Sequence, residues 1–130
     1  MKGGGSVKLL DRNKISFHYC LYESKTQSLD EYGNVTGEYK IRYSEPKSMR
    51  ANISPAKGNV QVEQFGSDVV YDKTIVTDDM NCPLNEYSVL FVDTPVTKDI
   101  EDNYLYDYVV VKVAKSLNTI AYAIRKVGIS

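Results

Sequence analysis

The sequence predicts an all-β fold, a small antiparallel β-barrel or sandwich from which long loops protrude. Short runs rich in Val, Ile, Tyr and Thr recur at spacings of about 8 to 12 residues with turn signals between them, which is typical of all-β domains. Within these runs apolar and polar residues alternate, as a half-buried strand requires. The chain has 11 Tyr beside 3 Phe and no Trp, and this profile suits half-buried strand faces.

The length of the chain indicates a single domain, and its net charge argues against a general electrostatic role. The chain has 130 residues and a formal net charge of −1, and a fold of this size buries roughly two-thirds of its unfolded surface. We expect a flexible N-terminal arm over residues 1–13, because Gly3, Gly4 and Gly5 impose little conformational preference. A single β-barrel domain is expected over residues 14–130. The near-zero charge argues against general binding to nucleic acid or anionic lipid, and we expect no membrane contact.

The first predicted strand covers residues 14–22, where apolar and polar side chains alternate and His18 lies on the wetter face. Residues 24–37 follow without any periodicity. Gly33 and Gly37 supply turn conformations there, and the stretch is longer than a tight hairpin turn. We therefore expect a protruding loop at residues 24–37 rather than a short connection.

The middle of the chain predicts several short strands. Alternation over residues 39–43 stops at Pro46 and resumes over residues 49–53, which predicts a bent or broken strand. Val60 and Val62 are expected to face inward after the following turn.

Two further strands and an acidic loop are expected before the C-terminal run. Residues 69–77 predict a strand whose inward face the pattern does not assign. Residues 87–92 are apolar on both faces and predict a central strand. The acidic stretch over residues 93–103, with Pro95 inside it, predicts a solvated loop.

The C-terminal run, residues 106–127, is the densest apolar block of the sequence. A polar stretch at residues 115–118 splits it, which predicts two strands folded back on each other. In the first strand Val111 shares a face with two other valines, and we expect a carboxylate at this position to unfold the domain. Residues 119–127 also fit a helical stripe, but β-branched and aromatic residues dominate them, which favours a strand.

The sequence lacks recognisable catalytic and metal-binding motifs. It contains a single histidine, His18, and no Gly-x-Ser-x-Gly, P-loop, His-Glu-x-x-His or paired-cysteine motif. The acidic loop lacks the ligand spacing of a calcium loop. Cys20 and Cys82 lie far apart in the sequence, which suits reduced thiols in an intracellular protein better than a disulfide scaffold. We expect neither an enzyme nor a bound cofactor or metal.

Two polar loops on a compact core are the candidate binding features, because loops on a rigid scaffold commonly carry recognition. The candidate contact residues are Ser24, Asp30, Tyr32 and Asn34 in the first loop and Lys98, Asp99, Glu101 and Asp102 in the second. Tyrosine-rich strands could also stack single-stranded bases, as in an OB-fold, although acidic residues stand among these tyrosines where basic ones would be expected. A small OB-like or SH3-like module that binds nucleic acid or peptide therefore remains an alternative.

Three stretches, taken together, carry a resemblance to a known family. They are ANISPAKGNVQVEQFG at residues 51–66, YDKTIVTDDMNCPLNE at residues 71–86, and YDYVVVKVAKSLNTIAYAIRKV at residues 106–127. In their order and approximate spacing they resemble the head-closure, or head–tail joining, proteins of long-tailed phages and prophages of Gram-positive hosts. The resemblance covers about residues 14–127 and does not include the glycine-rich arm.

The resemblance implies a small β-barrel "stopper" in the virion neck, present in the host cytoplasm during assembly. Such a protein forms a ring that matches the portal symmetry, here expected to be a dodecamer, closes the channel after DNA packaging, and receives the tail. The implied partners are further copies of the chain, the portal–adaptor complex, the tail terminator, and the packaged DNA end without sequence-specific binding. The two loops are candidates for channel-facing and axial contacts. Another neck component, such as a tail terminator, is the nearer alternative.

Overall fold

The computed structural model describes residues 14–55, 65 and 69–127, and within them the chain is all-β. Its strands are β1 (Ile15–Cys20), β2 (Tyr22–Leu29), β3 (Val35–Tyr43), β4 (Lys47–Pro55), β5 (Lys73–Thr77), β6 (Val89–Phe91), β7 (Tyr108–Lys115) and β8 (Ile120–Lys126). Six of them close an antiparallel barrel in the order β1-β4-β5-β8-β7-β6, and β2 and β3 form a separate two-stranded sheet. The arm expected over residues 1–13, and Val60 and Val62, lie outside the described residues.

The barrel interior is filled by side chains that point inward from every one of its strands. The alternation predicted for β1 is confirmed at its centre, where Phe17 and Tyr19 are buried and His18 is exposed, but it is wrong at the ends, where Ile15 is exposed and Cys20 is buried. The interior cluster consists of Phe17, Tyr19, Ala51, Ile75, Leu84, Leu90, Tyr108, Val110, Ile120, Tyr122 and Ile124. Closure of the sheet leaves these six strands without a free edge, so the barrel is self-contained as a scaffold.

The C-terminal run forms the β7–β8 hairpin, and the strand prediction for residues 119–127 is confirmed. The pairing of β7 with β8 shifts register between Val110 and Lys112, as a β-bulge does. Val110 therefore faces the barrel interior, whereas Val111 is half-buried on the outside. The prediction that Val111 is a central core position needs this correction, because a bulge changes the inward face partway along the strand.

Two smaller apolar clusters cover the outside of the barrel. One joins Phe65 with Ala114, Ala121 and Ala123. The other joins Cys20, Val89 and Phe91 with side chains from the segment between β6 and β7 and from the end of β3. This second cluster explains why β6 is apolar on both faces, and the expectation that residues 87–92 contain a buried strand is confirmed.

The strand expected to bend at Pro46 is two strands in different sheets. β3 ends at Tyr43 in the two-stranded sheet, and β4 begins at Lys47 in the barrel. Proline lacks a backbone N–H donor and breaks a ladder, so the interruption read from the sequence marks a change of sheet. The strand expected over residues 69–77 is also shorter, beginning at Lys73.

Candidate protein-binding surface

The segment expected to be an irregular loop, residues 24–37, belongs to a β-hairpin, and the structure corrects the sequence prediction there. β2 pairs antiparallel with β3 from the Tyr22–Tyr43 pair to the Leu29–Val35 pair. Neither strand pairs with the barrel. Most of the hairpin is solvent-exposed on both faces, so β2 carries Ser, Thr and Gln where a half-buried strand would carry apolar residues. The alternation was therefore missing from the sequence, although the prediction that the segment protrudes holds.

The hairpin is joined to the barrel through a closed base. The backbone N–H of Ser44 donates to the carbonyl oxygen of Leu21 at 2.8 Å, and the N–H of Leu21 donates to Ser44 Oγ at 2.9 Å. Above this pair, Tyr43 is half-buried and its ring contacts that of Tyr106 edge-on, with 6.3 Å between centroids. These contacts fix where the hairpin leaves the barrel.

The hairpin tip is organised by Asp30. Its Oδ1 accepts hydrogen bonds from the backbone N–H groups of Tyr32 and Asn34, at 2.8 and 2.9 Å. Gly33 follows with φ of 82°, a left-handed conformation that glycine adopts without strain. The turn holds the Tyr32 side chain in solvent, with 80% of it exposed. Asp30 and Asn34 therefore act as turn formers, and Tyr32 is the tip residue available to a partner.

The acidic loop between β6 and β7 is also an ordered turn. Asp99 Oδ1 accepts hydrogen bonds from the backbone N–H groups of Asn103 and Glu101, both at 2.9 Å, and these bonds lower the pKa of the Asp99 carboxyl. Lys98 Nζ lies 3.0 Å from Asp102 Oδ1. Asp102 has φ of 67°, which Asp tolerates better than most residues. The loop is thus a pre-organised projection.

A buried carboxylate anchors this loop to the barrel. Asp107 is 2% exposed, and its two oxygens accept hydrogen bonds from the backbone N–H groups of Val92 and Asp93, each at 2.8 Å. The N–H of Asp107 donates to the carbonyl oxygen of Leu90 at 3.0 Å. Tyr108 then donates its hydroxyl to Asp93 Oδ2 at 3.1 Å. The start and the end of the loop are consequently held together at one point of the barrel.

The two predicted loops face each other across an open cleft of about 970 Å³. Of the eight candidate residues, the cleft is lined by Ser24, Lys98, Glu101 and Asp102. Both sides of the cleft carry mixed charges, with Glu38, Lys40 and Arg42 on the hairpin side and Lys98, Glu101 and Asp102 on the loop side. The other four candidates, Asp30, Tyr32, Asn34 and Asp99, lie in the two turns outside its lining. Chain topology alone did not predict that the two segments would meet.

A second concave surface, which the sequence reasoning missed, adjoins the cleft, because Ile41, Tyr43 and Tyr106 line both. This tyrosine groove, about 680 Å³ in volume, is lined by Tyr22, Lys25, Ile41, Tyr43, Glu86, Tyr87, Ser88, Val89, Tyr106 and Val109. Tyr87 is 69% exposed and its ring lies 5.8 Å from that of Tyr22. The abundance of tyrosine was the available signal, since amphipathic aromatic side chains are enriched at protein interfaces.

The thiols lie in apolar surroundings rather than in a reactive site. Burial raises the pKa of Cys20 from 9.0 to about 11, which disfavours the thiolate needed for nucleophilic chemistry. Cys82 packs against the interior cluster, near the Tyr122 hydroxyl, whose pKa burial also raises. Within residues 14–55, 65 and 69–127, no group of three His, Cys, Asp or Glu side chains is placed to hold a metal ion.

Comparisons of the chain with protein-family models, with curated proteins and with solved structures found no match. Among the residues with described positions, no helix is long and apolar enough to span a membrane. The surfaces that distinguish this barrel are therefore the hairpin, the acidic loop, and the two concave surfaces that they form. All of them are built from polar and aromatic side chains suited to protein contacts.

Proposed function

We propose that the chain is a structural protein of the phage neck, a head-closure ring subunit that binds the portal–adaptor complex, retains packaged DNA and provides the tail attachment site. The observation that carries the proposal is a closed six-stranded barrel with a two-stranded hairpin that pairs with none of the barrel strands. The resemblance of residues 51–66, 71–86 and 106–127 to head-closure proteins supplies the biological setting.

The hairpin supports a role in assembly because further contacts are needed to stabilise it. An isolated two-stranded hairpin is marginally stable in water, and this one exposes Leu29, Val35, Tyr39 and Ile41 along its length. Contact with a neighbouring subunit or partner would bury these side chains. The hairpin and the acidic loop are thus candidates for the channel-facing and axial contacts, and the barrel holds them in place.

The two alternative functions receive less support from the observed surfaces. Binding of single strands depends on a basic groove with aromatic platforms, whereas the lining of the cleft beside the hairpin mixes basic side chains such as Lys40 and Arg42 with the carboxylates of Glu101 and Asp102. The other alternative, a tail terminator, is expected to carry amphipathic helices beside its sheet. The described part of the chain forms strands and turns and contains no α-helix.

The proposal is tested by binding of the chain to its cognate portal and adaptor proteins. Native mass spectrometry of the portal–adaptor complex, with and without the purified chain, should show addition of a ring of copies that matches the portal symmetry. The portal alone, without adaptor, is the control and should bind no ring. Failure of the chain to bind a folded portal–adaptor complex, together with salt-dependent binding of a single-stranded oligonucleotide, would replace the proposal with the nucleic-acid alternative.

A further inference from the structure

We propose that copies of this chain contact each other head to tail, with Ile100 of one copy inserted into the tyrosine groove of the next. The inference rests on the proposed function, because a ring needs two different surfaces on each subunit that fit one another. It adds the identity of both surfaces and the anchoring residue.

Ile100 is the projecting half of the contact. Its side chain is fully exposed, with a relative exposure of 103%, within the turn of the acidic loop. The turn around it is closed by backbone hydrogen bonds from Asp99 N–H to the Asn103 carbonyl oxygen at 2.9 Å and from Asp102 N–H to the Asp99 carbonyl oxygen at 3.1 Å. An apolar side chain on a pre-ordered turn loses little conformational freedom when it binds, which favours its use as an anchor.

The tyrosine groove is the receiving half. Val109 contributes an aliphatic surface, and Tyr22, Tyr43, Tyr87 and Tyr106 contribute aromatic rings. Burial, together with the neighbouring Tyr106, raises the pKa of Tyr43 to about 12, so its hydroxyl stays neutral at physiological pH. A concave apolar surface edged by hydroxyl groups is the type of pocket in which a single aliphatic anchor is desolvated.

Ile100 does not fill the groove of its own chain. The groove and the cleft adjoin along the hairpin, because Ile41, Tyr43 and Tyr106 line both of them. Ile100 lines neither concave surface, and its side chain is fully exposed. The side chain is therefore available to the groove of a second copy.

The charges around the two halves are complementary. Ile100 lies between Asp99 and Glu101 in the sequence. The groove carries Lys25, whose Nζ lies 4.5 Å from the centre of the Tyr39 ring. Glu86 on the lining of the groove offers a carboxylate to Lys98 of the incoming loop. Opposite charges at the edge of an apolar contact fix its register and disfavour wrong partners.

Disulfide trapping tests the contact, using Glu86→Cys and Glu101→Cys as separate variants of the full chain. Both positions are exposed and lie beside the contact, so Ile100 and the tyrosines of the groove stay in place. Under mild oxidation an equal mixture of the two should form linked dimers about tenfold faster than either variant alone, because the contact raises the effective concentration of the unlike thiols. The native chain gives the background from Cys20 and Cys82.

Leu117→Cys provides the matched control, because Leu117 is 88% exposed in the turn between β7 and β8 and lines neither concave surface. Mixed with Glu86→Cys, it should link only at the background rate. An equal rate for the Glu101→Cys and Leu117→Cys mixtures would overturn the contact. Faster linking of Glu86→Cys with itself would also overturn it, by indicating a symmetric dimer.

Failure of this inference can be distinguished from failure of the proposed function. If trapping is unselective while the native chain still adds as a ring to the portal–adaptor complex, the contact is wrong and the function stands. If trapping is selective but no binding to the portal–adaptor complex occurs, the head-to-tail contact stands and the neck function is wrong.

Discussion

At the scale of single residues, Asp107 is a buried carboxylate that joins two segments of the fold. Its carboxylate receives the N–H groups of Val92 and Asp93 at 2.8 Å and is almost fully buried. Asp107→Asn keeps the shape of the side chain but places an amide donor against one of these N–H groups. We expect a loss of about 1–3 kcal/mol in the free energy of unfolding, the usual cost of leaving a buried donor unsatisfied.

Urea unfolding followed by fluorescence measures this loss. Glu101→Gln is the matched control, because it removes a carboxylate that is exposed to solvent, and it should change stability by less than about 0.5 kcal/mol. Equal urea midpoints for the two variants would show that Asp107 does not anchor the loop. The sequence offered no sign of this role, since an Asp between two tyrosines resembles a solvated strand end.

Val110 and Val111 are neighbours in the sequence but lie on different sides of the barrel wall. Val110 is 3% exposed and packs in the interior, whereas Val111 lies half-buried in the external cluster. Val110→Asp should abolish cooperative unfolding, since a buried unpaired carboxylate costs several kcal/mol against a total of about 5–15 kcal/mol. Val111→Asp should keep a transition at a lower urea midpoint. A larger loss of stability in Val111→Asp than in Val110→Asp would show that the position given to the bulge in β7 is wrong.

At the scale of elements, the hairpin should be separable from the barrel. Tyr22 and Tyr43 lie opposite each other at its base, so an Asn-Gly turn joining them can replace residues 23–42 while keeping a hairpin register. We expect this barrel-only variant to retain cooperative unfolding, because the replaced residues contribute none of the interior cluster. Loss of a cooperative thermal transition by circular dichroism would show instead that the hairpin stabilises the barrel.

The apolar cluster that contains Cys20, and against which Tyr43 packs, should make the free energy of unfolding fall at alkaline pH. Burial raises the pKa of Cys20 from 9.0 to about 11 and that of Tyr43 from 10.0 to about 12. The unfolded chain therefore releases these protons first, and the free energy of unfolding should decrease as pH rises from about 9 to about 12. Cys20→Ala should shift the onset of this decrease upward by removing the group that titrates first. Urea midpoints that stay constant over this range would contradict the burial of both groups.

How much of the fold was predictable differs from element to element for physical reasons. The strand β1 was predictable because Phe17 and Tyr19 face the core and His18 faces solvent, which imposes alternation on the sequence. The strand β8 is buried on both faces, so its prediction rested on β-branched and aromatic residues rather than on alternation. The β2–β3 hairpin was missed because solvent on both faces removes that requirement. The cleft and the tyrosine groove depend on how separate segments are brought together by barrel closure. Their existence could not be read from local patterns, although the number of tyrosines pointed to a contact surface.

At the scale of the whole molecule, the closed barrel and its projections differ in how much unpaired backbone and apolar surface they expose. The six-stranded barrel leaves none of its own edges unpaired, which protects it from unspecific sheet pairing. The hairpin exposes two strand edges and a row of apolar side chains. A ring subunit of a phage neck needs both parts, because its barrel must keep its own fold while its projections contact neighbouring subunits and partners.

Comparing the native chain with the barrel-only variant on the portal–adaptor complex tests the account most directly. Native mass spectrometry should show that the native chain adds as a ring matching the portal symmetry. The barrel-only variant, folded by circular dichroism, should add no ring. Equal addition of both chains would contradict the role given to the hairpin, and addition of neither chain to an intact portal–adaptor complex would contradict the neck function itself.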